Sequence, residues 1–163
     1  GDKVEMTAPA GDFVLDGSAN SPLYLISGGV GITPMLSMLK TVRDNQPSRM
    51  VTFIQAANDG NVQAFGQEVS ETVQSMPNAK KYVILQQPTA SDREENKFDF
   101  EGYLDLQKLE QLVKEKDATF YVCGPAPFMG SVIENLQRLG VKSENINYEF
   151  FGPAIDLKQY QEA

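Results

Sequence analysis

From Leu23 onward the chain repeats one unit: a short apolar run, a turn, then a stretch whose apolar residues recur three and four apart. A strand that is apolar on both sides needs cover on both sides, and helices that are apolar on one side supply it. The pattern therefore predicts an α/β fold: a doubly wound parallel sheet of five strands, with room for a sixth, and helices on both faces. The strands expected are Leu23–Ser27, Met50–Ala56, Tyr82–Leu85, Thr119–Cys123 and Ile146–Tyr148. The helices expected are Pro34–Val42, Ala64–Ser75, Leu106–Val113 with Asp105 as cap, and Pro127–Leu139 with Gly140 as stop.

Composition narrows the chemistry. The chain of 163 residues suits one domain and carries a net charge of -8, which opposes nucleic acid or an anionic membrane as a partner. It has no histidine, which removes the commonest general base and metal ligand, so no metal site is expected and any redox chemistry must belong to a cofactor. Cys123 is the only cysteine, so no internal disulfide can form and a reducing cytoplasm is expected. No apolar run approaches the ~20 residues of a membrane span.

Two regions depart from the repeat. Residues Lys3–Leu15 contain two strand-like pieces around the turn cluster Pro9-Ala10-Gly11-Asp12, and Asp16–Pro22 has the small polar composition of a linker. With Gly1 rather than methionine at the start, this predicts the end of a preceding domain in a longer polypeptide. The stretch Gln86–Gly102 is polar and aperiodic, and is expected to be an excursion outside the core.

Three strand ends carry residues that suit a ligand. In "SGGVGITP", Ser27–Pro34, glycines let the backbone approach a pyrophosphate, and Pro34 fits the first turn of a helix whose amino end favours an anion. A tight strand-to-helix turn without a ligand explains the same residues. Asp59 follows the second strand, where an acidic residue selects NAD, although Asn58-Asp59-Gly60 also makes a plain turn. Cys123-Gly124-Pro125 ends the fourth strand, with Cys123 either beside a nicotinamide or a small buried hydrophobe. In "YEFFGP", two phenylalanines could cover a flat heterocycle or pack in the core.

In this order and spacing, "SGGVGITPML", "CGPAPFM" and "YEFFGP" resemble the NAD-binding domain of the ferredoxin-reductase-like flavoenzymes. Within that group the chain looks most like the reductase portion of the flavohemoglobins, the nitric oxide dioxygenases, over residues 1 to about 157. The resemblance implies residues 1–16 as the end of an FAD-binding barrel, 17–157 as an NAD(P)H-binding domain and 158–163 as a tail. It implies that Gly29, Val30, Gly31, Ile32, Thr33 and Pro34 hold the pyrophosphate of NADH or NADPH, with Cys123, Gly124 and Pro125 by the nicotinamide. Phe150, Phe151, Gly152 and Pro153 would contact FAD, and Glu149 would tune the flavin and haem potentials; no residue has an acid or base role. The implied partners are the FAD-binding barrel and a globin domain carrying haem b in the same polypeptide, and the fragment alone is expected to be inactive. Gln55 and Gln63 stand where many relatives would have histidine. The same motifs also fit a flavin reductase that feeds an iron-sulfur cluster, or a nucleotide-binding regulatory module without turnover.

Overall fold

The structure, a computed structural model, describes residues 1–6 and 11–149. Six parallel strands lie in the order β4-β3-β2-β1-β5-β6: β1 (Leu23–Gly28), β2 (Val51–Ala57), β3 (Ala79–Leu85), β4 (Phe100–Glu101), β5 (Thr119–Cys123) and β6 (Ile146–Glu149). The helices are α1 (Ile32–Asn45), α2 (Gly66–Gln74), α3 (Ala90–Glu94), α4 (Leu106–Leu112) and α5 (Ala126–Arg138). The sheet grows outward from β1 in one direction through β4 and in the other through β5, so the crossover changes direction between β1 and β5. Open α/β sheets bind ligands outside the carboxyl ends of strands at such a point.

The alternation of side chains along each strand divides the core. In β1, Leu23 and Leu25 pack against α1 and α2, together with Phe53, Met35, Leu39 and Val69. Tyr24 and Ile26 face the other way, joining Phe120, Leu109, Val132 and Leu136 beneath α4 and α5. Every residue of β1 is buried, as a central strand covered on both faces requires. Each fully buried leucine or isoleucine side chain contributes about 1.5–3 kcal/mol relative to exposure, so the two helical layers are held by burial rather than by helix propensity. Asp105 accepts from the Lys108 amide to cap α4, and Gly140 takes a φ of +91° just after α5.

Three expectations change. The 86–102 stretch is not a simple excursion: it supplies α3 and the sixth strand, whose two residues pair with Ile84 and Leu85. Asp99 starts that pairing by accepting the Val83 amide at 2.7 Å and donating its own N–H to the Val83 carbonyl at 2.8 Å. Strand β3 begins at Ala79 rather than Tyr82, because Lys80 and Lys81 keep the ladder to β2 while Lys81 Nζ donates to Ser70 Oγ. No strand forms in the described parts of 1–22. Extended backbone becomes a strand only beside a partner ladder, and here a backbone bond to the sheet, Thr119 N to Pro22 O at 2.9 Å, is joined by side-chain contacts: Phe13 and Leu15 lie on the α1 face of the core, Phe13 edge-on to Tyr121 with ring centroids 5.6 Å apart. The Tyr121 hydroxyl donates to Val14 O at 2.9 Å and accepts from Asp16 N at 3.1 Å.

Among the described residues, no helix is long and apolar enough to cross a membrane, and no group of three acidic, cysteine or histidine side chains could hold a metal.

Candidate nucleotide-binding cleft

A cleft of about 980 Å³ opens at the carboxyl edge of the sheet, with β1 and β2 ends as its floor and the start of α5 as one wall. Its lining includes Gly28–Val30 from β1, Ala56–Asn58 from β2, Tyr103 from the loop after β4, and Phe128 from α5. Among the described residues, none that lines it is charged.

Residues 29–31 form a short 3-10 turn before α1. Gly29 takes a φ of +50° and a Cβ there would meet nothing within 4 Å, so its requirement is conformational. Gly31 is different: a Cβ there would lie 2.1 Å from Cys123 O and 2.7 Å from Gly124 N. Its bareness serves the contact between the two strand-end loops, not an approach to the cleft. Gly28 and Gly124 both abut the Phe128 ring, where added Cβ atoms would fall 2.7 Å from it. The β1 and β5 loops are thus pressed together with Phe128 across them.

The first turns of α1 and α5 start beside this junction. Neither has a side-chain cap or an acidic residue in its first turn, whereas α2 carries Glu68 and α3 carries Asp92 in theirs. The Ile32 amide is taken by Gly29 O and Val30 O, and Pro34 and Pro127 have no N–H, so the first-turn donors left are those of Thr33 in α1 and Ala126 and Phe128 in α5, beside the positive dipole ends that favour a pyrophosphate. The residues present therefore fit a dinucleotide. Of the expected pyrophosphate contacts, Gly29 and Val30 line the cleft and Val30 is exposed. Ile32 is instead buried in the core under α1, and Thr33 is exposed with its hydroxyl 3.4 Å from Val30 O.

Pro125 lines the cleft, but Cys123 does not. The thiol is fully buried and donates to Glu149 O at 3.4 Å. Burial, helped by the nearby Glu149 charge, pushes its pKa up to about 11, so it is a neutral, unreactive group at pH 7. Gln55, Ser27, Cys123 and Glu149 stand side by side in register across β2, β1, β5 and β6. The Ser27 hydroxyl is buried with no hydrogen-bond partner among the described residues. The expected FAD contacts Phe150, Phe151, Gly152 and Pro153 lie outside the described residues.

The far wall of the cleft depends on residues whose role is not visible in the motifs. Asp59 does not line the cleft; it accepts from Asn61 N at 2.9 Å and from Asn58 Nδ2 at 2.8 Å, making the turn. Gly60 N donates to Asp92 Oδ2 at 3.0 Å, and Thr89 N donates to the same oxygen at 2.8 Å. These backbone donors, Gly60 first, hold the Asp92 carboxyl below its usual pKa. Thr89 and Asp92 form a reciprocal capping box, and the spacing Thr-x-x-Asp in "TASD" is the signal that marks it in the sequence. Gln55, 2% exposed, donates to Ala64 O at 2.7 Å and accepts from Gln63 Nε2 at 3.0 Å.

Residues 25–134 match the family described as the oxidoreductase NAD-binding domain. The chain is 44% identical over 158 residues to a flavohemoprotein of Bacillus thuringiensis subsp. konkukian (strain 97-27), covering 97% of this chain and 39% of that protein. It thus spans well under half the length of that relative. Among solved structures, the flavohem-like FAD/NAD-binding domain of nitric oxide dioxygenase from Vibrio cholerae O1 biovar El Tor superposes with a TM-score of 0.76 at 34% identity, over 90% of this chain and 57% of that one. Flavohemoglobin from Malassezia yamatoensis, with bound FAD and heme, gives 0.72 at 28% identity over 86% of this chain and 33% of that one. With its sheet order, its uncapped helix starts at the strand crossover and its match over most of the doubly wound region, the chain belongs to the oxidoreductase NAD-binding domain family.

Proposed function

We propose that this chain is the NAD(P)H-binding reductase domain of a flavohemoprotein acting as a nitric oxide dioxygenase. The observation that carries the reading is the likeness, over 97% of the chain, to a protein named flavohemoprotein, joined to a cleft, uncharged among its described lining residues, that runs from the turn before α1 to the uncapped start of α5. When bound, the dinucleotide supplies a hydride to FAD, whose electrons pass to haem b, where oxygen and nitric oxide yield nitrate. The chain's own residues bind and orient. The amides of Thr33 at the start of α1 and of Ala126 and Phe128 at the start of α5 would hold the pyrophosphate; Gly29, Val30 and Pro125 shape the passage beside it, and Phe128 keeps the β1 and β5 loops in contact. Orientation is the whole contribution, because hydride transfer asks for ring placement and no general base.

On this reading residues 1–16 end an FAD-binding barrel, 17–157 form the NAD(P)H domain and 158–163 a tail, while the barrel and a globin domain belong to the same polypeptide. Gly31–Pro34 and Cys123–Gly124 support the cleft, Glu149 tunes the flavin and haem potentials, and Phe150–Pro153 meet the flavin. A single buried thiol suits a reducing cytoplasm. The isolated chain turns nothing over. The test is anaerobic mixing of the intact parent protein with NADH, followed by nitric oxide consumption in air: flavin reduction followed by nitrate formation is expected. Flavin reduction without nitric oxide consumption would overturn the dioxygenase assignment, and no reduction would overturn the reductase one.

A further inference from the structure

We infer that Gln55 is a positioning residue for the dinucleotide: its buried amide fixes the loop between β2 and α2, which forms the far wall of the cleft. The inference rests on the reductase reading above. That loop, residues 58–65, supplies Asn58, Val62 and Ala64 to the lining. Val62 is an exposed apolar side chain, placed to cover a ligand rather than to pack in the core. At its end the loop turns into α2 through Phe65, a non-glycine residue with a φ of +56°. Such a residue stands in a disfavoured region and persists only where its surroundings hold it.

The hold comes from one side chain. Gln55 Nε2 donates to the carbonyl of Ala64, the residue before Phe65, while Gln55 Oε1 accepts from Gln63 Nε2. The Gln63 side chain in turn packs over Gly66, where a Cβ would approach it to 3.2 Å. Both ends of the buried amide are thus satisfied by the loop itself. A half-satisfied buried amide is costly, which makes the arrangement close to all-or-none. At the other end, Gly60 is held by Asp92, so Val62 hangs between two fixed points.

Replacing Gln55 by glutamate keeps the shape but removes the donor: an ionised carboxylate can still accept from Gln63 but faces the Ala64 carbonyl with two like dipoles. Protonation restores an O–H donor, and burial raises the pKa of the introduced carboxyl. The register neighbours of Gln55, Ser27 in β1 and Val83 in β3, carry no charge, and the helices that cover this face of β2 carry Lys40 in α1 and Glu68 in α2, joined to each other as an ion pair.

The experiment is anaerobic stopped-flow reduction of the flavin by NADH in the intact parent protein, comparing wild type, Gln55→Glu and Gln63→Glu across pH. Expected for Gln55→Glu at pH 8 is an apparent NADH Kd raised about tenfold, the scale of one lost buried hydrogen bond, with the limiting reduction rate unchanged. The defect should shrink as pH falls and the introduced carboxyl protonates, while Gln63→Glu, which leaves the Ala64 bond in place, shows a smaller rise. An unchanged Kd in Gln55→Glu, or an equal loss at all pH values, would overturn the inference while wild type still reduces its flavin. Failure of wild type itself to be reduced would overturn the reductase reading and this inference with it.

Discussion

A Cβ on Gly31 would stand 2.1 Å from the carbonyl oxygen of Cys123, so the loop after β1 and the loop after β5 touch backbone to backbone. The neighbouring Gly29 has open space at the same point but a φ of +50°. The two glycines of one motif therefore answer to different physics, and substitution separates them. Gly31→Ala forces two main chains apart and is expected to cost about 1–3 kcal/mol, as overpacking does, with loss of NADH affinity. Gly29→Ala meets only the left-handed backbone penalty of about 1–2 kcal/mol and should keep more of the affinity. Urea denaturation and NADH titration of both variants check this; a Gly31→Ala variant as stable and as tight-binding as wild type would contradict the contact.

Phe128 spans both strand-end loops, against Gly28 and Gly124. Its removal in Phe128→Ala leaves those two glycines facing a void at the cleft wall. A stability loss of about 2 kcal/mol is expected, together with weaker NADH binding. Denaturation midpoints and equilibrium titration are the measurements; binding unchanged within error would detach Phe128 from the site.

A 2′-phosphate needs a cationic partner, and among the described residues no lysine or arginine lines the cleft. NADH should therefore bind at least about tenfold more tightly than NADPH, the effect of roughly one missing charge-assisted bond. Asn58→Arg, which places a guanidinium at the end of β2, should narrow the gap by improving NADPH. Parallel titrations with the two cofactors decide it, and equal affinities in wild type would refute the expectation.

The Cys123 thiol has its pKa pushed up from 9.0 to about 11 by burial, then by Glu149. Between those values the unfolded chain has lost a proton that the folded chain keeps, so stability falls as pH rises. The contribution is complete below about pH 9 and disappears on passing through about 11. Denaturation midpoints against pH should show this alkaline slope, and Cys123→Ala should flatten it. The native thiol should also resist alkylation at pH 7; rapid labelling of the folded protein would show that burial is incomplete.

Tyr121 fastens the segment before β1 by donating to Val14 O and accepting from Asp16 N. Tyr121→Phe keeps the ring contact with Phe13 and loses both bonds, at a cost of about 1 kcal/mol. Limited proteolysis should then cut more readily between residues 12 and 20, with the cleft unaffected. Cutting at the wild-type rate would mean that the ring contact alone secures the segment.

The central architecture was legible because burial on both faces leaves a strong pattern. β1 is apolar at almost every position and β5 nearly so, and α1 and α5 carry their buried residues three and four apart. β4 was not, since a two-residue strand has no period and is set by Asp99 docking on Val83. The glycine-rich loop advertised itself, but which of its glycines faces another loop rather than a ligand depends on β5, far away in sequence. Gln55 was noticed for its identity, not its role: a buried polar residue among apolar neighbours gives no spacing signal, and its meaning appears only when Ala64 is brought against it. Asp92 had a readable local motif in "TASD", yet its second bond, to Gly60, required the fold.

That bond has a consequence for how such domains diverge. A Cβ at Gly60 would fall 2.0 Å from Asp92 Oδ1, so the bare backbone at 60 and the carboxylate at 92 are matched parts carried by two separate loops. A change in the length of the 86–102 segment would move Asp92 and strand the Gly60 amide, and a side chain at 60 would evict Asp92. The two segments should therefore be inherited, and can be transplanted, only as a pair: a chimera receiving the 58–65 loop without its 86–102 companion would carry a cleft wall with one anchor missing.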